Sequence, residues 1–171
     1  MASSIDSNAH ALHFQVGQFL FAEAEILDEW NVMAWMDMVT SDIDYRIPIR
    51  TARDIGQECE VFSGKSFHMI EDYGSLAARM KRIIGGHAFS EIPRSRVRRH
   101  VSNVRLKGSS LDGLTVRSNL LFFWARDDLE RIVSAERQDT LRWVDGNLKL
   151  ARRTVLIDHV TLPLPNLSIV L

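Results

Sequence analysis

Cysteine is nearly absent from this sequence: Cys59 is the only one in 171 residues. No disulfide can therefore form within the chain, and a [2Fe–2S] cluster held by two cysteines and two histidines cannot be built from it alone. Cys59 lies in a polar segment without a neighbouring histidine, which does not favour a nucleophilic role. The six histidines form no His-x-x-x-His pair, so no local spacing predicts a metal site.

No charge of either sign predominates. The 21 lysines and arginines are balanced by 22 aspartates and glutamates, for a formal net charge of −1. A dedicated nucleic-acid-binding protein is normally strongly basic. The nucleotide-binding patterns Gly-x-Gly-x-x-Gly and Gly-x-x-x-x-Gly-Lys are also missing. The composition thus predicts neither a nucleic-acid partner nor a bound nucleotide.

Long apolar runs are missing too. The longest, "LLFFWA" at 120–125, is far too short to cross a bilayer. The first residues, "MASSIDSNAH", lack the basic region and apolar core of a secretory signal. We therefore expect a cytoplasmic protein with no membrane contact.

The length and the periodicity suggest one domain that begins with helices. Residues 1–10 are polar and are expected to form a loose N-terminal segment, and residues 11–171 a single α+β domain. From Ala11 to Val39 the apolar residues fall near one helical stripe. Twenty-nine residues is long for one globular helix, so a break near Gly17 or Asp28 is expected.

A strand and a further helix follow. Residues 42–49 alternate apolar and polar side chains, which predicts a strand that Pro48 ends. A mostly polar loop is expected from Arg50 to about Ser66. Asp72 is a suitable N-cap for a helix that Gly85-Gly86 terminates.

The remaining sequence has the pattern of long antiparallel strands. The segment "GSSLDG" at 108–113 separates two of them, and Asp145-Gly146 is a two-residue turn signal between two more. Helices followed by such a meander indicate an α+β fold. We expect a strongly curved antiparallel sheet wrapped over the N-terminal helices, a cone-shaped half-barrel. Both enzymes and assembly subunits use such scaffolds, so the fold alone does not decide the function.

Four arginines occur within six positions, in the segment "RSRVRR". Strand alternation places Arg96, Arg98 and His100 on one face and Arg99 on the other. The apolar parity changes beyond this point, which implies a bulge at Ser102-Asn103. Because no aromatic residue is interleaved with the charges, a nucleic-acid groove is not indicated. We interpret the segment as a charged strand face that is solvated or lies in an interface.

An acid–base site inside the cone is the alternative. Asp42, Asp44 or Tyr45 on the first strand, with His100 across the sheet, could abstract a proton if they lined an internal pocket. The chain would then be a stand-alone isomerase or dehydratase. The competing interpretation is that Asp42 caps a helix or turn and that His100 is hydrogen-bonded in an interface.

Four segments carry a recognisable combination of residues. Residues 23–50 contain an acid-Ala-x-x-Leu-Asp opening and an Asp-x-x-Tyr-x-x-Pro-x-Arg strand, and residues 95–106 contain a Ser-Arg…Arg-His-Val-Ser-Asn segment. Residues 136–158 read "ERQDTLRWVDGNLKLARRTVLID", and residues 166–171 read "NLSIVL". In this order they resemble the beta (small) subunit of aromatic-ring-hydroxylating dioxygenases. The arginine segment departs from the family's Ser-Arg-Thr-Arg-His by one additional residue.

The resemblance implies an assembly of three alpha and three beta chains that adds dioxygen to an aromatic ring to give a cis-dihydrodiol. In this family the alpha chain carries the Rieske [2Fe–2S] cluster and the mononuclear Fe(II), and NAD(P)H supplies electrons through a reductase, often with a ferredoxin. The beta chain has the ketosteroid-isomerase and scytalone-dehydratase fold and is generally structural.

The resemblance also implies that this chain has no catalytic, cofactor-binding or metal-binding residues of its own, and that it contacts the alpha chain and other beta chains. The residues expected at these contacts are Arg96, Arg98, Arg99, His100, Asn103, Leu167, Ile169 and Leu171. The aromatic substrate is not encoded in any motif of this chain.

Overall fold

The computed structural model describes residues 2–51, 61–85, 93–167 and 169–171, with side chains from residue 8 onward. The elements in chain order are α1 (Ala2–Asp28), α2 (Val32–Asp37), β1 (Val39–Arg50), β2 (Phe62–Glu71), α3 (Tyr73–Ile84), β3 (Arg96–Ser110), β4 (Gly113–Arg126), β5 (Leu129–Val144) and β6 (Asn147–Ile157).

Within these residues six strands form one curved sheet that remains open, in the order β2-β1-β6-β5-β4-β3. β3 to β6 are a meander of antiparallel hairpins, as the turn signals predict. β1 pairs with β2 in antiparallel and with β6 in parallel orientation. The α+β prediction is confirmed, and the parallel β1–β6 pair is an addition to it.

The first helix begins earlier than its apolar stripe. α1 starts at Ala2 and therefore includes most of the segment predicted to be loose. Neither glycine nor proline occurs before Gly17, so nothing in the sequence breaks the helix there. The predicted break is at Asp28 and not at Gly17: Trp30 has a φ of 60°, and Asn31 then caps α2.

The prediction that Pro48 ends its strand is wrong. β1 continues to Arg50, and its pairing with β2 shifts register on both sides of Pro48. Because proline has no N–H to donate, it is tolerated at such an irregularity of the ladder. The predicted polar loop is also shorter than expected, since β2 begins at Phe62. Cys59 lies outside the described residues.

The α3 prediction is confirmed at both ends. The Asp72 carboxylate accepts a hydrogen bond from the Ser75 backbone N–H, and the Ser75 hydroxyl accepts one from the Asp72 N–H, which is a capping box. Gly85 is the C-cap, and Gly86 is not among the described residues. Leu76, Met80 and Ile83 of the apolar stripe of α3 are buried, whereas Ile84 is 51% exposed.

The core lies between the helices and the concave face of the sheet. β4 shows the pattern most clearly, because alternate residues point inward. The apolar residues of this inward set are all buried: Leu114, Val116, Leu120, Phe122 and Trp124.

Gly113 follows the tight turn between β3 and β4, and replacing it tests the backbone geometry there. Its φ is +130°, and a Cβ built there would lie 2.3 Å from the Leu141 carbonyl oxygen. We expect Gly113→Ala to lower the free energy of unfolding by about 1–3 kcal/mol in urea titrations. Gly108→Ala is the control, since a Cβ there meets no atom within 4 Å. Equal effects at the two positions would contradict this explanation.

Candidate assembly surface and the buried ion cluster

The interior of the cone contains a cluster of four charged side chains, which we call the ion cluster: Glu23 of α1, Arg137 and Asp139 of β5, and Arg153 of β6. All four are buried. Arg153 Nη1 and Nη2 donate to the two Glu23 carboxylate oxygens at 2.9 and 2.8 Å. Arg153 Nε and Nη2 donate to the two Asp139 oxygens at 2.8 Å each. The two acids and two bases balance in charge.

Two further groups fix the Glu23 carboxylate. Trp35 Nε1 donates to Glu23 Oε1 at 3.0 Å, and Arg137 Nη1 lies 3.4 Å from Oε2. Arg137 Nε also donates to the Ser118 hydroxyl at 3.3 Å. Glu23 thus joins α1, α2, β5 and β6 through one carboxylate.

The pKa values of the cluster follow from burial and from these charges. Burial alone would raise the pKa of Glu23, but the charges of Arg153 and Arg137, with hydrogen bonds from Arg153 and Trp35, bring it below its ordinary value. Burial lowers the pKa of Arg137 to about 10, with the neighbouring Arg153 cation adding to the effect. The charges of Asp139 and Glu23 overcome burial at Arg153 and hold its pKa well above the ordinary value.

The lowered pKa of Glu23 predicts a pH dependence of stability. The ordinary pKa is 4.5, and the folded value is lower. The contribution of the ionised carboxylate is therefore fully present above pH 4.5 and is lost as the pH falls through the folded pKa. Urea midpoints measured between pH 7 and pH 3 should fall less steeply with acid for Glu23→Gln than for the wild type. A steeper fall for the variant would contradict this linkage.

The last residues of the chain pack into the same interior. The Tyr45 hydroxyl donates to the Leu171 carbonyl oxygen at 2.7 Å and accepts from the Leu171 N–H at 3.1 Å. Burial raises the pKa of Tyr45 to about 12. Ile169, Val170 and Leu171 are all buried in the hydrophobic core. Among the described residues, this part of the interior is therefore occupied by the end of the chain itself.

The structure does not bring together the four residues of the acid–base alternative. Tyr45 lies in the core, whereas Asp42 is an exposed surface residue paired with Arg142 at 2.9 Å. Hydrogen bonds from Thr40 and Arg142 lower the pKa of Asp42, the opposite of what a general base needs. Asp44 pairs with arginines on the outer surface, and His100 is exposed on the far side of the sheet.

The arginine segment divides as its alternation predicts. Arg96, Arg98 and His100 are exposed, and Arg99 is buried. Arg99 Nη1 donates to Asp28 Oδ1 at 2.6 Å, and its Nη2 donates to the Val170 carbonyl oxygen. Arg99 therefore makes its contacts inside the chain and not on the surface where an interface role was expected.

The predicted bulge is confirmed, because the β3–β4 register shifts between Ser102 and Arg105 and Asn103 has a φ of 52°. Among the other residues expected at contacts, Asn103 is exposed and Leu167 half-buried, while Ile169 and Leu171 lie in the core.

The outer face next to the arginines is apolar. Arg98 lies opposite Phe123 of β4, and His100 lies opposite Leu121. Phe123 in turn lies opposite Ile132 of β5. Leu121 and Ile132 are 50% and 59% exposed, unusually high for large apolar residues in the middle of a sheet.

The ion cluster was not predicted, although the sequence places three of its charged residues at positions where a strand carries buried side chains. Arg137 and Asp139 share strand parity with the buried Leu141, and Arg153 shares it with Val155. Charges in the apolar register of a strand predict a buried, paired cluster, since an unpaired charge there would cost too much.

In the described part of the chain, no group of three or more His, Cys, Asp or Glu side chains could hold a metal ion. These residues therefore do not fit the iron groups that the family resemblance implies for the assembly. No helix in the described ranges is long and apolar enough to cross a membrane.

Comparison with known proteins identifies the family. The family model described as "Ring hydroxylating beta subunit" matches residues 22–164. The chain is 32% identical to the beta subunit of biphenyl 2,3-dioxygenase from Rhodococcus jostii, over 92% of this chain and 88% of that one. It is 34% identical to the beta subunit of benzene 1,2-dioxygenase from Pseudomonas putida, over 94% and 89%.

A solved structure, naphthalene 1,2-dioxygenase with indole bound in the active site, has the same fold. The TM-score is 0.81 at 24% identity, over 95% of this chain and 86% of that one. Together with the family match and the two curated relatives, the resemblance seen in the sequence is confirmed: this chain belongs to the family of ring-hydroxylating beta subunits.

Proposed function

We propose that this chain is the structural, non-catalytic beta subunit of an aromatic-ring-hydroxylating dioxygenase. The observation that carries the proposal is the filled cone. Its interior holds a paired ion cluster and the residues 169–171, and the acid–base candidates lie apart. A general acid or base must reach its substrate within hydrogen-bond distance, and in the described part of the chain the candidate residues do not converge on one interior site. The chain serves instead as a rigid support for alpha chains.

The cofactors of the reaction belong to the partner in this proposal. The alpha chain carries the Rieske cluster and the mononuclear Fe(II), and electrons come from NAD(P)H through a reductase, with or without a ferredoxin. One cysteine cannot supply the cluster ligands. The product is a cis-dihydrodiol, and the assembly contains three alpha and three beta chains in the cytoplasm.

The substrate is set by the alpha chain. The relatives described above are named for biphenyl, benzene and naphthalene, which differ in size and number of rings. One beta-subunit fold accompanies all three. This range supports a subunit that holds the catalytic chain in place without contacting the ring.

The outer face of the sheet is the proposed contact surface of the assembly. Arg96, Arg98 and His100 are exposed there beside the apolar Leu121 and Ile132. Protein interfaces combine apolar area with arginine in this way. Asn103 at the bulge lies on the same strand.

Co-expression with a Rieske-type alpha chain encoded beside this gene tests the proposal. The tagged beta chain should retain the alpha chain through affinity and size-exclusion chromatography, at a mass containing several copies of each. A beta chain that elutes apart from its alpha chain would overturn the proposal.

A second experiment separates a structural role from a catalytic one. The variants Asp42→Asn and His100→Ala, assembled with the alpha chain, should keep kcat within about 2-fold of the wild type, since general acid–base residues contribute about 10²–10⁴-fold when they act. Product formation per alpha chain is the measurement, because it corrects for any change in assembly. A loss of 100-fold or so in either variant would support the acid–base alternative.

A further inference from the structure

A groove at one end of the sheet has basic and aromatic walls. Its lining includes Trp30, Arg94, Arg96, Arg98 and Phe123, which we call the basic groove. The Arg94 guanidinium lies 5.7 Å from the centre of the Trp30 ring. The groove is open to solvent and encloses about 520 Å³, several times the volume of a leucine side chain.

No ion pair of the described residues neutralises the charges of the basic groove. In the described part of the chain, Arg96 and Arg98 belong to no ion pair, whereas Arg46, Arg142 and Arg152 elsewhere on the sheet each pair with an aspartate. The one carboxylate in the lining, Asp28, is already bound to Arg99. The groove thus has three cations and no free acid.

The turn between β4 and β5 has the complementary chemistry. Asp127, Asp128, Leu129 and Glu130, the acidic turn, are all exposed. None of its three carboxylates belongs to an ion pair of the described residues, and Leu129 is 54% exposed. Three acids surrounding an exposed leucine match three arginines surrounding Trp30 and Phe123.

The two features lie near each other in the chain without pairing. Arg96 is opposite Ala125, two residues before the acidic turn begins. Both are therefore at the same end of the sheet, yet no ion pair of the described residues joins them. Within the described residues, neither surface therefore neutralises the other.

We infer that the acidic turn of one copy of this chain docks in the basic groove of a second copy. The two surfaces differ, so the contact is head to tail, and such contacts form a ring when the rotation closes. The inference rests on the proposed function in one respect only, which is that the contact joins two beta chains of the proposed assembly.

Charge reversal tests this contact on the full chain. The first variant is Arg96→Glu with Arg98→Glu, the second is Asp128→Arg with Glu130→Arg, and the third combines all four changes. Asp127 is left unchanged because its φ is 51°, a region that aspartate tolerates better than arginine. The control is Arg105→Glu with Lys107→Glu, two exposed residues farther along β3.

Sedimentation velocity of the chain without its partner, across a range of concentrations, gives the self-association constant. Either double variant should weaken self-association by about 100-fold or more, because like charges then face each other. The quadruple variant should recover most of the affinity, and the control should match the wild type. Recovery in the quadruple variant separates a direct contact from a loss of folding.

Three results would overturn the inference. These are a wild-type chain that stays monomeric, self-association that survives either reversal, and a quadruple variant that fails to recover. If the reversals abolish only co-purification with the alpha chain, the groove binds that chain and the inference is wrong while the proposed function stands. If the wild type self-associates as described but never binds an alpha chain, the proposed function is wrong while this inference stands.

Discussion

Replacing Glu23 with glutamine will lower the free energy of unfolding by about 3–5 kcal/mol, the usual cost of breaking a buried ion pair from one side. The substitution keeps the shape of the side chain and removes only its charge. Arg137 and Arg153 then share a single counterion, Asp139, in a site without solvent. Because small domains have only about 5–15 kcal/mol of total stability, the loss should be evident in urea unfolding at pH 7.

Glu25→Gln is the matched control for this prediction. Glu25 is two residues along the same helix and is exposed, so its replacement should change the free energy of unfolding by less than about 0.5 kcal/mol. If Glu23→Gln were as mild as the control, the ion cluster would not be a stabilising centre of the subunit.

Replacing Arg99 with methionine should lower the free energy of unfolding by about 3–5 kcal/mol. The methionine fills much of the volume, but Asp28 loses its cationic partner and keeps only the hydrogen bond from the backbone N–H of residue 99, while its side chain is only 6% exposed. The hydrogen bond to the Val170 carbonyl oxygen and the contact with the Phe122 ring, 5.0 Å from the guanidinium, are lost as well. Thermal and urea unfolding of the isolated chain measure the effect.

Arg98→Met provides the comparison from the adjacent position. Arg98 is exposed and has no ion pair in the described part of the chain, so its loss should leave the stability of the folded chain within about 0.5 kcal/mol of the wild type. Its effect should instead be seen in self-association. Equal destabilisation by Arg98→Met and Arg99→Met would contradict the division of this strand into a core face and a contact face.

Local signals in the sequence predicted local structure well. The Asp145-Gly146 turn, the Asp72 cap and the bulge near Asn103 each depend on neighbouring residues, and each is confirmed. The placement of Arg98 and Arg99 on opposite faces of the strand was also predicted locally, and it is confirmed. Such features are decided by backbone geometry within a few residues, so one sequence is sufficient to find them.

Features that depend on distant partners were predicted poorly. Pro48 stays within β1 because the pairing of Ile47 and Arg50 with β2 on either side of it overrides its local preference. The parallel pairing of β1 with β6 joins residues about 110 positions apart, and no local pattern encodes it. The ion cluster likewise unites α1 with β5 and β6. Tertiary context outweighs propensity at each of these points.

The filled interior links the fold to the proposed role. A cone that held a pocket would need space and a group with a shifted pKa at its centre. Here the Arg153 guanidinium donates hydrogen bonds to the carboxylates of Glu23 and Asp139. The Tyr45 hydroxyl donates one to the Leu171 carbonyl oxygen. These contacts connect helices, strands and the last residues into one packed unit. Rigidity is what an assembly subunit requires, and its outer face is then free to bind partners.

Product formation from an aromatic substrate, measured for the beta chain alone and for the beta chain assembled with its alpha chain, tests the central claim most directly. Both samples receive NAD(P)H, reductase and dioxygen, and the iron content of each is determined in parallel. A structural beta subunit predicts no iron and no product for the chain alone, and both iron and cis-dihydrodiol for the assembly. Iron-dependent product from the beta chain alone would contradict that claim.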